Sequence, residues 1–123
     1  MRSASSRVLA WGYVIAWMSV IYYFSDQPDL HSALPSSWDS VLRKIAHVAE
    51  YFVLSFLLFR ALVLIPVARR TALLGALVMT LAYALSDEWH QHFVAGRQGS
   101  LRDVLVDSLG YVVFWFLQRS RNV

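Results

Sequence analysis

Ionisable side chains crowd into one stretch near the C-terminus, SDEWHQHFVAGRQGSLRDVLVDSLG, which spans residues 86–110. Its chemically active members are Asp87, Glu88, His90, Gln91, His92, Arg97, Arg102, Asp103 and Asp107. Carboxylates beside imidazoles can transfer protons or bind a metal ion, and arginines can bind phosphate or carboxylate groups. The flanking segments TALLGALVMTLAYAL and YVVFWFL contain no charge, so this chemistry would take place beside, and partly inside, apolar segments.

A second polar group lies upstream, in the stretch KIAHVAEY. Helical spacings of three and four place the members of each group on or beside one face of a helix. The three groups are Lys44, His47, Glu50 and Tyr51; Tyr83, Asp87, His90 and Gln91, with Glu88 beside them; and Asp103, Asp107 and Gly110. Because successive membrane-spanning helices alternate in direction, the sequence predicts that all three groups meet at one membrane surface.

Glu50 and Asp107 are the deepest members of these groups. Each is predicted to lie about 8–10 Å below the first residue of its helix, at 1.5 Å per residue. A charged group at that depth is costly, and it normally faces the interior of a bundle and has a partner. The predicted partners are Lys44, Arg97, Arg102 and the histidines His47 and His90.

These residues suggest two kinds of role. The candidate catalytic residues are His47, Glu50, Asp87 and His90: Glu50 or His47 would be the general base, and Asp87 would orient a histidine. The candidate ligand-binding residues are Lys44, Tyr51, Glu88, Gln91, Arg97, Arg102, Asp103 and Asp107. Arg97 is predicted to be the principal cation of the site, because its planar guanidinium can bind an anion through two hydrogen bonds.

Two other interpretations of the same residues stay open. His47-x-x-Glu50 and Asp87-x-x-His90 each place two metal-ligand side chains one turn apart, as in the carboxylate–histidine sites of helical bundles. Zinc or another divalent ion is therefore a candidate cofactor, although pairs of this kind also arise easily by chance. Alternatively, the polar residues form only a salt-bridge network that holds three helices together.

The elements that position these residues follow from composition. Of 123 residues, 58% are hydrophobic and 15% are charged, whereas soluble domains are about a quarter charged. Apolar runs at about residues 8–24, 43–65, 71–90 and 101–118 are near the roughly 17–25 residues that a membrane-spanning helix needs. The sequence thus predicts a single domain over residues 1–123, an all-α integral membrane four-helix bundle. A soluble four-helix bundle with an unusually apolar exterior is the alternative.

Charge and cysteine content exclude other classes of function. The chain has no cysteine, which excludes disulfides and sites that need thiolate ligands. A formal charge of +3, scattered along the chain, argues against nucleic acid as a partner.

The basic residues predict the orientation of the bundle. Four crossings place the two termini and the loop between the second and third helices on one side of the membrane. Seven arginines belong to that side: Arg2, Arg7, Arg60, Arg69, Arg70, Arg119 and Arg121. Four basic residues belong to the other side: Arg43, Lys44, Arg97 and Arg102. Because basic residues are retained in the cytoplasm, both termini are predicted to be cytoplasmic and the polar groups extracytoplasmic.

Three stretches resemble the VanZ-like family. They are K-x-x-H-x-x-E-Y at residues 44–51, S-D-E-x-H-Q-x-F-V-x-G-R-x-G-S at 86–100 and D-V-x-x-D-x-x-G at 103–110. The resemblance covers about residues 25–115 and marks Lys44, His47, Glu50, Tyr51, Asp87, Glu88, His90, Gln91, Phe93, Arg97, Ser100, Asp103, Asp107 and Gly110. The family often has Asn where this chain has Asp107, so the resemblance implies a hydrogen-bonding group there and does not require a charge.

The resemblance implies a small multi-pass protein of the bacterial cytoplasmic membrane, from a family named after a protein associated with teicoplanin resistance. One hypothesis is that its extracytoplasmic polar pocket binds or modifies a cell-envelope ligand, such as a lipid-linked precursor or a glycopeptide, and affects susceptibility to glycopeptide antibiotics. The other is an intramembrane hydrolase or transferase that acts on a lipid by acid/base or metal-assisted chemistry.

The predicted orientation can be tested by cysteine labelling, since the chain has no cysteine of its own. In intact cells, Ser36→Cys should react with a membrane-impermeant thiol reagent and Ser5→Cys should not, because the segment of residues 26–40 is predicted to be extracytoplasmic and the N-terminus cytoplasmic. Labelling of Ser5→Cys in place of Ser36→Cys would reverse the orientation.

Overall fold

The computed structural model describes residues 3–25, 36–93 and 101–120. In these ranges the chain forms four α-helices and no strand. The helices are α1 (Ala4–Ser25), α2 (Ser36–Leu62), α3 (Arg69–Gln91) and α4 (Leu101–Ser120). The predicted number of helices and the all-helical class are therefore confirmed. Arg97, the predicted principal cation, lies outside the described residues.

The helix boundaries agree with the predicted ones to within about four residues, except at α2. Hydropathy predicted that α2 begins near residue 43, but it begins at Ser36 because a helix can continue through polar residues that an apolar run does not include. Glu50 therefore lies about 20 Å from the first residue of α2 at 1.5 Å per residue, roughly twice the predicted distance.

The end of α2 was also predicted three residues too late. The helix ends at Leu62 because Pro66, which lacks an N–H group, disfavours helical geometry in the residue before it. The chain closes with tighter turns, in which the amides of Leu64 and Ile65 donate to the carbonyl groups three residues earlier.

Helix α2 is the centre of the bundle, because its contacts with α1 and with α4 are more extensive than those that α3 makes with the same two helices. Its most extensive contact is with α4, and Gly110 makes that contact possible. A Cβ atom at Gly110 would lie 2.5 Å from both the Phe52 nitrogen and the Val48 oxygen, which are backbone atoms that cannot move aside. The two helices therefore touch backbone to backbone, as is common where small residues line helix interfaces in membranes.

The inward face of α3 changes from apolar to polar along its length. Its buried residues recur every three or four positions: Ala72, Ala76, Thr80, Ala84, Asp87 and Gln91. The small side chains let α3 approach its neighbours closely, and the last two bring polar groups into the bundle. Asp87 and Gln91 lie near the same end as the first half of α2 and the start of α4, which we call the site end. The opposite end, with Arg69, Arg70 and Arg119, is the arginine end.

The molecule is apolar outside and partly polar inside. Large hydrophobic side chains such as Val8, Val78 and Phe116 are more than half exposed, whereas Asp87 and Asp107 are buried. A soluble bundle has the opposite distribution, because exposed apolar surface of this extent is unfavourable in water. Of the helices in the described ranges, α1 and α2 are long and apolar enough to cross a membrane, over Ala4–Phe24 and Val41–Leu62. Four such helices were predicted, but the helices α3 and α4 do not meet that criterion.

Gly110→Ala should destabilise the protein by about 1–3 kcal/mol, because the added methyl group forces α2 and α4 apart. Gly12→Ala is the matched control, since a Cβ atom at Gly12 meets nothing within 4 Å. It should leave stability unchanged or raise it by up to about 1 kcal/mol through helix propensity. Thermal unfolding in detergent measures both variants, and equal melting temperatures would show that the close approach at Gly110 is not needed.

Candidate functional site

The innermost part of the site is a hydrogen bond between α2 and α3. The Tyr51 hydroxyl donates to Oδ2 of Asp87 at 3.0 Å, and both side chains are buried. A carboxylate that is removed from water needs donors in place of its hydration, and Tyr51 supplies one. Asp87 was predicted to orient a histidine, and the partner that the described residues show for it is Tyr51.

His47 lies between two carboxylates at the interface of α2 and α4. Its Nδ1 is 3.2 Å from Oδ1 of Asp107 and 3.8 Å from Oε2 of Glu50, one turn further along α2. The distance between His47 Nδ1 and Asp107 Oδ1 allows an ion pair when His47 is protonated. The side chain of Asp107 is 5% exposed, whereas those of His47 and Glu50 are 28% and 21% exposed. The site is thus buried at Asp107 and accessible at the other two residues.

The pairing of Asp107 with His47 has a chemical consequence. A carboxylate beside Nδ1 favours the tautomer that carries its proton on Nδ1, so Nε2 becomes the basic nitrogen of the ring. The sequence predicted His47 and Glu50 as candidate bases, but it did not predict which acid would accompany His47. Asp107, predicted as a ligand-binding residue, takes that position because α4 packs directly against α2.

The remaining predicted residues of α3 are His90, Glu88 and Gln91. The His90 ring packs against the Tyr22 ring of α1, with centroids 4.7 Å apart. Glu88 contacts Nε2 of His92 at 3.1 Å, an i,i+4 pair on an exposed part of the helix. Gln91 is buried. The Glu88 side chain is half-buried and contacts the exposed ring of His92, whereas His90 and Gln91 line the site end.

Among the cations, Arg43 has an unpredicted position. The sequence pointed to Lys44 and Arg102, and both are exposed in the structure. Arg43 is half-buried with its Nε shielded from solvent, and it precedes His47 by four residues. That spacing places the two side chains on the same face of α2, a signal that was already present in the sequence. Asp103, in the first turn of α4, is half-buried.

Hydrogen bonds from aromatic residues tie α1 to the site. Trp17 Nε1 donates to the backbone oxygen of Glu50 at 2.8 Å, and the Tyr83 hydroxyl donates to the backbone oxygen of Met18 at 2.6 Å. The indole of Trp17 therefore lies between α1 and α2. Deeper in the bundle, the hydroxyls of Ser55 and Thr80 are 3.2 Å apart and buried. Neither of these two residues was predicted.

The metal hypothesis concerned His47, Glu50, Asp87 and His90. Among the described residues, no three His, Asp or Glu side chains come together in a group that could hold a metal ion. Asp87 is bonded to Tyr51, and His47 contacts Glu50 and Asp107 through the same nitrogen. This arrangement suits proton exchange and hydrogen bonding better than metal binding.

Comparisons with known proteins agree with the resemblance. A family model described as VanZ/LLP1 matches residues 10–121, which include every described residue of the site. A relative from Bacillus subtilis (strain 168), named uncharacterized membrane protein YwnJ, is 30% identical over 112 residues. That alignment covers 86% of this chain and 73% of the relative. No solved structure matches the chain.

Tyr51→Phe should lower the free energy of unfolding by about 1–3 kcal/mol, because it removes a donor from the buried carboxylate of Asp87. The control is Tyr13→Phe, which removes the same hydroxyl from a residue that is 54% exposed and should change stability little. Thermal unfolding in detergent compares the two. If Tyr51→Phe melts at the wild-type temperature, the hydrogen bond does not hold α2 against α3.

Proposed function

The chain belongs to the VanZ/LLP1 family of membrane proteins, and from this premise we propose that it binds a lipid-linked cell-envelope precursor at its site end. In this proposal the protein is a multi-pass protein of the bacterial cytoplasmic membrane, with four crossings and both termini in the cytoplasm. The apolar exterior, the two helices that can span a membrane and the asymmetry of the basic residues support this topology.

One observation carries the choice of ligand: Lys44 lies on the wall of an apolar groove of about 450 Å³ between α2 and α4. Among the described residues, the rest of the lining is apolar: Ile45, Val48, Ala49, Phe52, Val106, Leu109, Val113 and Leu117. Phosphate at Lys44 and a hydrocarbon chain along the groove would match the two parts of a lipid-linked precursor. A glycopeptide without an acyl chain, which is one form of the other predicted ligand, would leave such a groove empty.

The polar cluster would then meet the head of the ligand. His47 and Glu50 are partly exposed and lie within two turns of Lys44 on α2, so they can accept or donate hydrogen bonds to sugar or peptide groups. Asp107 and Tyr51, which are buried, would hold the positions of these groups and not contact the ligand. Sequestration or alteration of such a precursor would change susceptibility to glycopeptide antibiotics, as the family resemblance suggests.

Lys44→Gln should weaken binding of a polyprenyl-pyrophosphate-linked disaccharide by about tenfold, because it removes one charge-assisted contact with phosphate. Arg60→Gln is the control, since it removes an exposed cation from the same helix at the opposite end. Affinity is measured with the purified protein in lipid nanodiscs. Equal affinities of the two variants and the wild type would contradict binding at the Lys44 groove.

The contact of the Asp107 carboxylate with His47 Nδ1 favours a second candidate function, an acid/base hydrolase or transferase that acts on the same class of lipid. In that case His47 Nε2 would remove a proton from the attacking water or hydroxyl group, and Asp107 would stabilise the resulting imidazolium. Arg43 and Lys44 could stabilise negative charge on a phosphate.

His47→Gln separates these functions, because glutamine keeps a polar side chain but cannot act as a base. An enzyme should lose conversion of the probe, followed by mass spectrometry, by at least a hundredfold while still binding it. A binding protein should show no conversion in either form and a modest loss of affinity. A network with only a structural role should show a lower melting temperature with neither binding nor conversion.

A further inference from the structure

A second groove lies at the arginine end, between α3 and α4, away from the site described above. It has a volume of about 500 Å³ and is mainly apolar. Its lining consists of Arg70, Leu73, Leu74, Leu77, Tyr111, Val112, Trp115 and Phe116. Along α3 it extends from Arg70 to Leu77, which is about 10 Å at 1.5 Å per residue. The groove can therefore accommodate part of a hydrocarbon chain.

Arginines surround one end of this groove. Arg70 is exposed and forms part of the wall, one turn before Leu74 on the same face of α3. The Arg119 guanidinium stacks over the Trp115 ring at 5.2 Å, so it lies one turn beyond the last aromatic residues of the wall. Arg69 donates from Nη2 to Oε1 of Gln118 at 3.3 Å, which joins the two helices at this end. Arg70 thus lines the groove and Arg119 stacks on one of its lining residues, whereas the Arg69 guanidinium lies over the Phe59 ring of α2 at the same end of the bundle.

No acidic residue balances these cations nearby in the sequence. Asp and Glu are absent from residues 51–86 and from all residues after Asp107, which are the segments that form this end. The charge of the arginine end is therefore available to an external anion. Arginine binds phosphate through paired hydrogen bonds, and basic pockets between membrane helices recognise the head groups of anionic lipids.

We propose that the groove between α3 and α4 binds an anionic phospholipid. Its phosphate contacts Arg70 and Arg119, and one acyl chain lies along Leu74, Leu77 and Val112. Trp115 is well suited to the boundary between the two, since indole rings prefer the interface of hydrocarbon and head groups. This site is independent of the proposed function, because it lies at the other end of the bundle and shares no residue with the Lys44 groove.

The test compares phosphatidylglycerol with phosphatidylcholine that carries identical acyl chains, by native mass spectrometry of the purified full chain. Wild type should bind phosphatidylglycerol more tightly, and the double variant R70Q/R119Q should lose roughly fivefold in affinity for each arginine removed. The control is Arg7→Gln, which removes an exposed cation from α1, a helix without contacts to α4 among the described residues. It should keep the wild-type preference.

A second variant tests the apolar part of the site. Val112→Trp fills the groove without a change in charge, so it should weaken phosphatidylglycerol binding while the melting temperature in lipid-free detergent stays within a few degrees of wild type. Excess inorganic phosphate should not displace the lipid, because it cannot occupy the groove.

Several results would overturn the proposal. They are equal affinity of the wild type for the two lipids, equal losses in Arg7→Gln and R70Q/R119Q, undiminished binding by Val112→Trp, or displacement of the lipid by phosphate alone. Each is independent of the Lys44→Gln measurement, so failure at one end of the bundle does not affect the conclusion at the other.

Discussion

A carboxylate loses its hydration when it enters an apolar bundle, and both Asp87 and Asp107 have done so. The uncompensated cost would be several kcal/mol per ion, so neighbouring helices must supply partners. Tyr51 does this for Asp87 and His47 does it for Asp107. Both partners belong to α2, and this constraint explains why α2 occupies the centre with α3 and α4 packed against it.

The same constraint links packing to chemistry. The ion pair between Asp107 and His47 is short because Gly110, one turn away on α4, lets the backbones of α2 and α4 touch. A larger residue there would move the carboxylate away from the imidazole as well as open the interface. Packing of small residues and the alignment of the polar groups are therefore one structural feature, as expected where van der Waals contact and hydrogen bonds drive helix association.

The two ends of the bundle differ in chemistry, although each combines an apolar groove with basic residues. At the site end, Lys44 lies beside carboxylates and histidines that can exchange protons or hydrogen bonds with a complex head group. At the arginine end, Arg70 and Arg119 lie beside aromatic residues without acids from the same segments. The first combination suits selective recognition of a ligand, and the second suits an anionic lipid of the surrounding membrane.

Much of this arrangement follows from the sequence alone. Apolar runs with few charges predicted four helices, and helical spacing predicted that the polar faces of α2, α3 and α4 lie at one end. Such patterns are local, because they depend on the 3.6-residue repeat of a helix and on the cost of charge in hydrocarbon. Helix boundaries were less predictable, since hydropathy does not detect the polar first turns of α2.

The partner of each polar residue was decided by the tertiary structure. The rotation of α3 against α2 brings Asp87 to Tyr51, a contact that the spacing of polar residues did not predict. The inward position of Trp17 depends in the same way on how α1 lies across α2. The sequence by itself determined which faces are polar and at which end they lie. The pairing depends on how each helix is placed and rotated against its neighbours. That placement is set by packing between residues far apart in the chain.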